Sequence, residues 1–131
     1  MTTPSLNLEL LAGTFAVCRL DADAPLPPWV APGGFVSLTR TDAELSIVCP
    51  QQGVPSDVQR EAGWRCLRVK GPLGFGLTGI LASLASPLAS SGVSIFVVST
   101  YDTDYLMVQE RDLDRGVHAL ERAGHCVERN G

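Results

Sequence analysis

Two stretches of the chain gather residues whose types can do chemistry. One is Gly71-Pro72-Leu73-Gly74-Phe75-Gly76, a glycine loop ahead of a predicted helix, where free backbone amides suit a carboxylate. The other is Ser99-Thr100-Tyr101-Asp102-Thr103-Asp104, which sets hydroxyls, a phenol and two carboxylates in one turn-like segment. Asp102 and Asp104, two apart, would share a face on a strand and could form a paired-acid or metal site. A turn between them breaks that register, and no third carboxylate or histidine stands near enough to complete a hard-cation shell. Asp102 reads as a turn residue bonding its own backbone. Asp104 reads as either a solvated strand end or a functional acid, and the second is favoured.

Other constellations lead less far. Gly74-Phe75-Gly76-Leu77-Thr78-Gly79 satisfies G-x-G-x-x-G between a predicted strand and a helix. A dinucleotide fold needs further parallel crossovers, however, and the strand after this helix runs straight into an antiparallel hairpin. His118 and His125 are separated by the break at Gly124 and read as surface positions, not as shared metal ligands. Ser83, Ser86, Ser90, Ser91 and Ser94 lie outside any G-x-S-x-G motif, with no base or acid placed to activate one. Small residues there let a helix lie close to its neighbours. Cys18, Cys49, Cys66 and Cys126 form no C-x-x-C pair, and three lie in apolar strand-like runs. They read as buried thiols, with neither disulfide nor zinc site expected. Trp29 and Trp64 read as core or interface anchors before ligand-stacking residues.

The bulk properties narrow the function classes. A length of 131 residues with 45% apolar and 18% charged residues suits one core, or two small ones sharing it. A net charge of −4 offers no attraction to phosphate backbones, and the ten basic residues are scattered apart from Arg65, Arg68 and Lys70. Strand alternation puts Arg68 and Lys70 on one solvated face and Arg65 on the other. No nucleic-acid partner is expected. The N-terminus lacks a basic and an apolar signal region, and no run reaches the ~18 apolar residues of a membrane span. The expectation is a cytoplasmic protein with no membrane partner, no cofactor and no catalytic residues.

The elements that must position these residues follow from periodicity and punctuation. Leu6 to Leu20 reads as a strand broken at Gly13, and Pro25-Leu26-Pro27-Pro28-Trp29 as a single turn. Phe35 to Arg40 and Glu44 to Cys49 make a hairpin. Pro55 to Ala62 is predicted as a short helix ended by Gly63, and Trp64 to Lys70 as a strand. Thr78 is a candidate N-cap for a helix bearing Ile80, Leu81, Leu84 and Leu88, disturbed by Pro87 and ended by Gly92. Val93 to Ser99 is a nearly continuous apolar strand that turns into Asp104 to Gln109. Asp112 opens a last helix with Leu113, Val117 and Leu120 on one face, ended by Gly124, and Cys126 to Glu128 closes the chain as a strand.

A weak internal repeat runs through this order. Ser37 to Val48 and Val97 to Val108 keep one pattern at an offset of 60, pairing Thr39 with Ser99, Asp42 with Asp102 and Glu44 with Asp104. The second half then reads βαββαβ, the ferredoxin-like split unit, and the first half the same with its first helix worn down to the Pro27-Pro28-Trp29 turn. The expected architecture is α+β: two βαββαβ units, 1–63 and 64–131, with antiparallel sheets packed against helices and strand 64–70 shared between them.

The run from Gly71 to Val108, GPLGFGLTGILASLASPLASSGVSIFVVSTYDTDYLMV, resembles the second repeat of the tandem-ACT family, small bacterial proteins related to the eukaryotic cytosolic arginine sensor. The signature is the helix, then Gly92-Val93-Ser94-Ile95-Phe96, then Ser99 to Tyr105. The resemblance implies an ACT fold and a regulatory protein that binds a free amino acid or similar small molecule between ACT units, in a homodimer. Carried over by position, it implies ligand contacts at Gly74, Phe75, Gly76 and Leu77, and at Ser99, Thr100, Tyr101 and Asp104. The alternatives are an oligomerisation module without a ligand and, last, an enzyme.

Overall fold

In the computed structural model, which describes residues 5–30, 33–70 and 79–129, apolar runs become strands and the two longest amphipathic stretches become helices. In chain order these are β1 (Asn7–Leu10), β2 (Phe15–Leu20), β3 (Ser37–Arg40), β4 (Leu45–Pro50), β5 (Arg60–Val69), α1 (Ile80–Ser90), β6 (Ile95–Ser99), β7 (Asp104–Gln109), α2 (Leu113–Arg122) and β8 (Cys126–Glu128). The class is α+β, as expected. Two compact units divide the chain: a larger one of Met1–Ala12 with Arg65–Gly131, and a smaller one of Gly13–Trp64. No helix among the described residues is long and apolar enough to cross a membrane.

The larger unit carries both helices. Its sheet pairs β6 with β7, β7 with β5, and β5 with β1. β1 lies antiparallel to β5 (Leu8↔Val69) and parallel to β8 (Leu8↔Val127). Residues 5–12, which the repeat assigns to the first unit, thus pack in the larger one. Alternation brings Leu8, Leu67, Val69, Leu106 and Val108 into one buried cluster with Leu84 and Leu88 of α1 and Leu113, Val117 and Leu120 of α2. Each fully buried leucine contributes about 1.5–3 kcal/mol, so this face dominates the unit's stability. A Cβ on Gly116 would stand 3.4 Å from the Leu88 side chain, so a small residue is what lets α2 lie against α1.

Pro87 sits inside α1 without ending it. It lacks the amide that would bond the Ser83 carbonyl one turn back. His125 supplies the replacement: its Nε2 lies 3.0 Å from that carbonyl, while its Nδ1 accepts the Leu6 amide at 3.1 Å. Because Leu6 N–H can only donate, Nδ1 is the bare nitrogen and Nε2 carries the proton. His125 is therefore a buried clamp, 3% exposed, and the surface position expected for it is corrected. Gly124, in the left-handed region at φ 100°, turns the chain so that the His125 amide reaches the Leu120 carbonyl and its ring folds inward.

The smaller unit has no α-helix among its described residues, only a 3-10 turn at Gln51–Gly53. β4 pairs antiparallel with β2 (Phe15↔Pro50 to Leu20↔Leu45) and with β3 (Ser37↔Val48 to Arg40↔Leu45). The first residues of β5 pair with β2, and the register shifts by one between Phe15↔Trp64 and Val17↔Glu61. Gly63, at φ 83°, lies at that bulge, where its amide donates to Gln51 Oε1 at 2.7 Å. The helix expected over Pro55–Ala62 is accordingly a turn followed by strand. Ladder bonds to β2 claim Arg60 and Glu61, and the glycine taken as a helix end serves the bulge. Ala16, Cys18, Leu45, Ile47 and Cys49 form the core, covered by loop residues that include Trp29, Val30, Val54 and Val58.

Candidate functional site

The hairpin of β6 and β7 positions the described half of the candidate site. Its ladder runs from Ile95↔Val108 to Ser99↔Asp104, so the last rung places Ser99 and Asp104 side by side on one face. The Ser99 hydroxyl donates to Asp104 Oδ1 at 2.6 Å, a charge-assisted bond. With its proton committed, Ser99 has only lone pairs left to offer, and a carboxylate has nothing else. The pair is an acceptor-only surface, suited to an ammonium or guanidinium group.

Beyond that rung the chain turns through Thr100–Thr103. The Thr100 amide donates to the Thr103 carbonyl at 2.8 Å. The Thr100 hydroxyl accepts the Thr103 amide at 3.3 Å and faces the Thr103 carbonyl at 3.1 Å. Thr100 thus spends its side chain inside the turn. Tyr101 stands at the tip, 83% exposed, and Asp102 is exposed beside it, consistent with a turn position. Thr103, which sequence reading left as a mere turn residue, is 4% exposed and donates its hydroxyl to the Val69 carbonyl at 2.6 Å.

The hairpin of β3 and β4 repeats this turn. The Thr41 amide donates to the Glu44 carbonyl at 2.9 Å, and the Thr41 hydroxyl accepts the Ala43 and Glu44 amides at 3.1 and 3.2 Å. The two ladders align Arg40 with Ser99 and Leu45 with Asp104, an offset of 59 that corrects the 60 read from the sequence. The place of Asp104 is held in the smaller unit by a fully buried leucine.

Of the expected ligand residues, Gly74, Phe75, Gly76 and Leu77 lie outside the described residues, as does the candidate cap Thr78. The basic group Arg65, Arg68 and Lys70 is largely neutralised. Arg68 pairs with Glu9 at 2.8 Å and Lys70 with Glu128 at 2.6 Å, while Arg65 reaches the Leu11 carbonyl at 3.5 Å.

The cysteines offer no nucleophile in the cores. Burial pushes the Cys66 thiol up to about 12. Burial first, and then the neighbouring Cys18, push Cys49 up to about 12. Such thiols stay protonated and neither attack nor ligate readily. Among the described residues no three His, Cys, Asp or Glu side chains converge as a metal shell.

Comparison with known proteins identifies relatives of the chain. Residues 59–122 match the family model of the ACT domain, and residues 13–57 a second model describing an N-terminal domain. The cytosolic arginine sensor for mTORC1 subunit 1 of Bos taurus is 36% identical over 99 residues, which make up 67% of this chain and 30% of that protein. The Homo sapiens protein of that name is 35% identical over 97 residues, 66% of this chain and 30% of its own. The matched region thus spans under a third of these curated relatives.

Among solved structures, a protein of Agrobacterium tumefaciens is 44% identical with a TM-score of 0.92, covering 98% of this chain and 96% of its own. The aspartate kinase of Clostridium acetobutylicum is 12% identical with a TM-score of 0.65, covering 89% of this chain and 33% of its own, a likeness of fold alone.

Proposed function

That the chain belongs to the ACT-domain family is the premise from which we propose that it is a regulatory protein binding a free amino acid at the β6–β7 hairpin. One observation carries the reading: Ser99 and Asp104, joined at 2.6 Å on the last rung, present acceptors alone to a ligand's cationic group. The arginine sensors among the relatives are named for such a ligand. The loop Gly74–Leu77 is proposed to receive the ligand's carboxylate, and Tyr101 to close over it. Thr100 contributes backbone rather than hydroxyl, since its side chain is engaged within the turn.

A second copy of the chain is proposed to complete the site. β6, Ile95-Phe96-Val97-Val98-Ser99, carries no charge and no proline, and among the described strands it pairs with β7 alone. Such an edge favours pairing with another strand. The same edge is what favours the second reading, an oligomerisation module without ligand. We place the protein in the cytoplasm and assign it no catalytic step.

Calorimetric titration with free amino acids, alongside sizing by light scattering, tests this. At least one amino acid should bind the wild type at millimolar concentration or below. Asp104→Ala should weaken that binding by about 30-fold, the 2 kcal/mol at the low end for truncating one partner of a buried charge pair. If no amino acid binds and the oligomer forms regardless, the sensing function is wrong and the oligomerisation module stands.

A further inference from the structure

The turn Thr100–Thr103 is closed by its own backbone and by the Thr100 side chain. The turn Thr41–Glu44 closes the same way with a glutamate in its last position. A residue at position 103 therefore needs no hydroxyl to make the turn. Thr103 has one nonetheless, buried, and directs it out of the turn to the carbonyl of Val69, the last residue of β5. β5 and β7 are neighbouring strands, so this bond ties the hairpin's tip to the strand beside it.

Tyr101 and Asp102 are exposed at the tip, whereas Thr103 is held from within the fold by the Val69 carbonyl. We propose that Thr103 is a positioning residue for ligand binding: its hydroxyl pins the turn to the end of β5 and thereby fixes Ser99 and Asp104 at the angle the ligand meets. The inference rests on the amino-acid-binding reading of the hairpin. Thr103 does not touch the ligand, because its side chain is buried and its proton is spent on Val69. It acts through Asp104, the next residue in the chain, by ordering before binding what would otherwise have to be ordered at the moment of binding. A buried carbonyl deprived of its donor would seek another partner, and the tip would move with it.

The test measures affinity for the tightest-binding amino acid of the screen in the wild type, Thr103→Val and Thr103→Ser, with thermal midpoints alongside. Valine keeps the shape and removes the hydroxyl; serine keeps the hydroxyl. Thr103→Val should bind about tenfold more weakly, chiefly through faster dissociation, and Thr103→Ser within about twofold of wild type. Wild-type affinity in Thr103→Val overturns the proposal and leaves the amino-acid site standing. Equal losses in both variants also overturn it, since the methyl group would then be what matters. Should the wild type bind no amino acid, the underlying reading fails instead. A measurement on the wild type alone covers a valine variant that does not fold. Three-bond couplings of the Thr103 methyl should report one χ1 rotamer both without and with ligand, and rotamer averaging without ligand overturns the proposal.

Discussion

The two hairpins share a turn and differ in the residues that flank it. Each opens on a threonine whose amide reaches a carbonyl three residues on, at 2.9 Å for Thr41 and 2.8 Å for Thr100. At the rung below, the larger unit sets Ser99 against Asp104, and the smaller sets Arg40 against Leu45. Ser99 turns to Asp104, whereas Arg40 turns away to the carbonyls of Ala22 and Ala24. Main-chain bonds preserve the turn through almost any change of side chain, so the backbone motif outlasts the chemistry it once carried or never had. At that rung only the larger unit's hairpin has a carboxylate.

The means of covering the sheets differ in the same way. The larger unit uses two helices and holds five ion pairs among its described residues, Arg68–Glu9 and Lys70–Glu128 among them. The smaller unit has none among its described residues, and its arginines instead reach backbone: Arg19 to Ala43, Arg40 to Ala22 and Ala24, Arg60 to Pro55. A guanidinium fork can satisfy several loop carbonyls at once, which lets irregular chain stand where helices would otherwise lie.

The sharpest way to break this comparison is to give the smaller hairpin the larger one's acid. Leu45→Asp should destabilise the protein by about 4 kcal/mol in urea unfolding, because it takes a carboxylate out of water at a fully buried position. A loss within about 0.5 kcal/mol, the range of ordinary surface changes, would mean that the two hairpins are interchangeable after all. In the larger unit, His125→Phe should cost about 3 kcal/mol by leaving the Leu6 amide and the Ser83 carbonyl without partners, and α1 amides near Pro87 should then exchange faster.

The smallest effect sets the two units against each other at alkaline pH. Cys49 in the smaller unit and Cys66 in the larger are pushed up from 9.0 to about 12, so the folded protein holds these protons more tightly than the unfolded chain. That stability is fully present below pH 9 and is lost as the pH rises towards 12, at no more than about 1.4 kcal/mol per pH unit for each thiol. Thermal midpoints between pH 8 and 10 should fall for the wild type, and less for Cys49→Ala and Cys66→Ala relative to their own values at pH 8.

Much of the larger unit was legible from local pattern. The spacing of Leu84 and Leu88, and of Leu113, Val117 and Leu120, marks one face of each helix, and Gly92 and Gly124 mark their ends at φ 73° and 100°. The hairpin and its Ser99 and Asp104 were equally plain. Pro55–Ala62 misled because a proline start and a glycine end also describe a turn that enters a bulged strand. The hairpin alignment slipped by one because Asp42 and Asp102 invited matching by letter, whereas the turns match by their threonines.

What the sequence determined by itself is therefore what a short window can hold: which segments alternate, which recur at helical spacing, and which residues of a hairpin are acids. Tertiary structure alone decided where β1 pairs, why Pro87 is tolerated and where the Thr103 hydroxyl bonds. His125 meets groups 119 and 42 residues away, and Thr103 one 34 residues away. Bonds of that span are made only when folding buries both partners, since an unpaired polar group costs most where water cannot reach it.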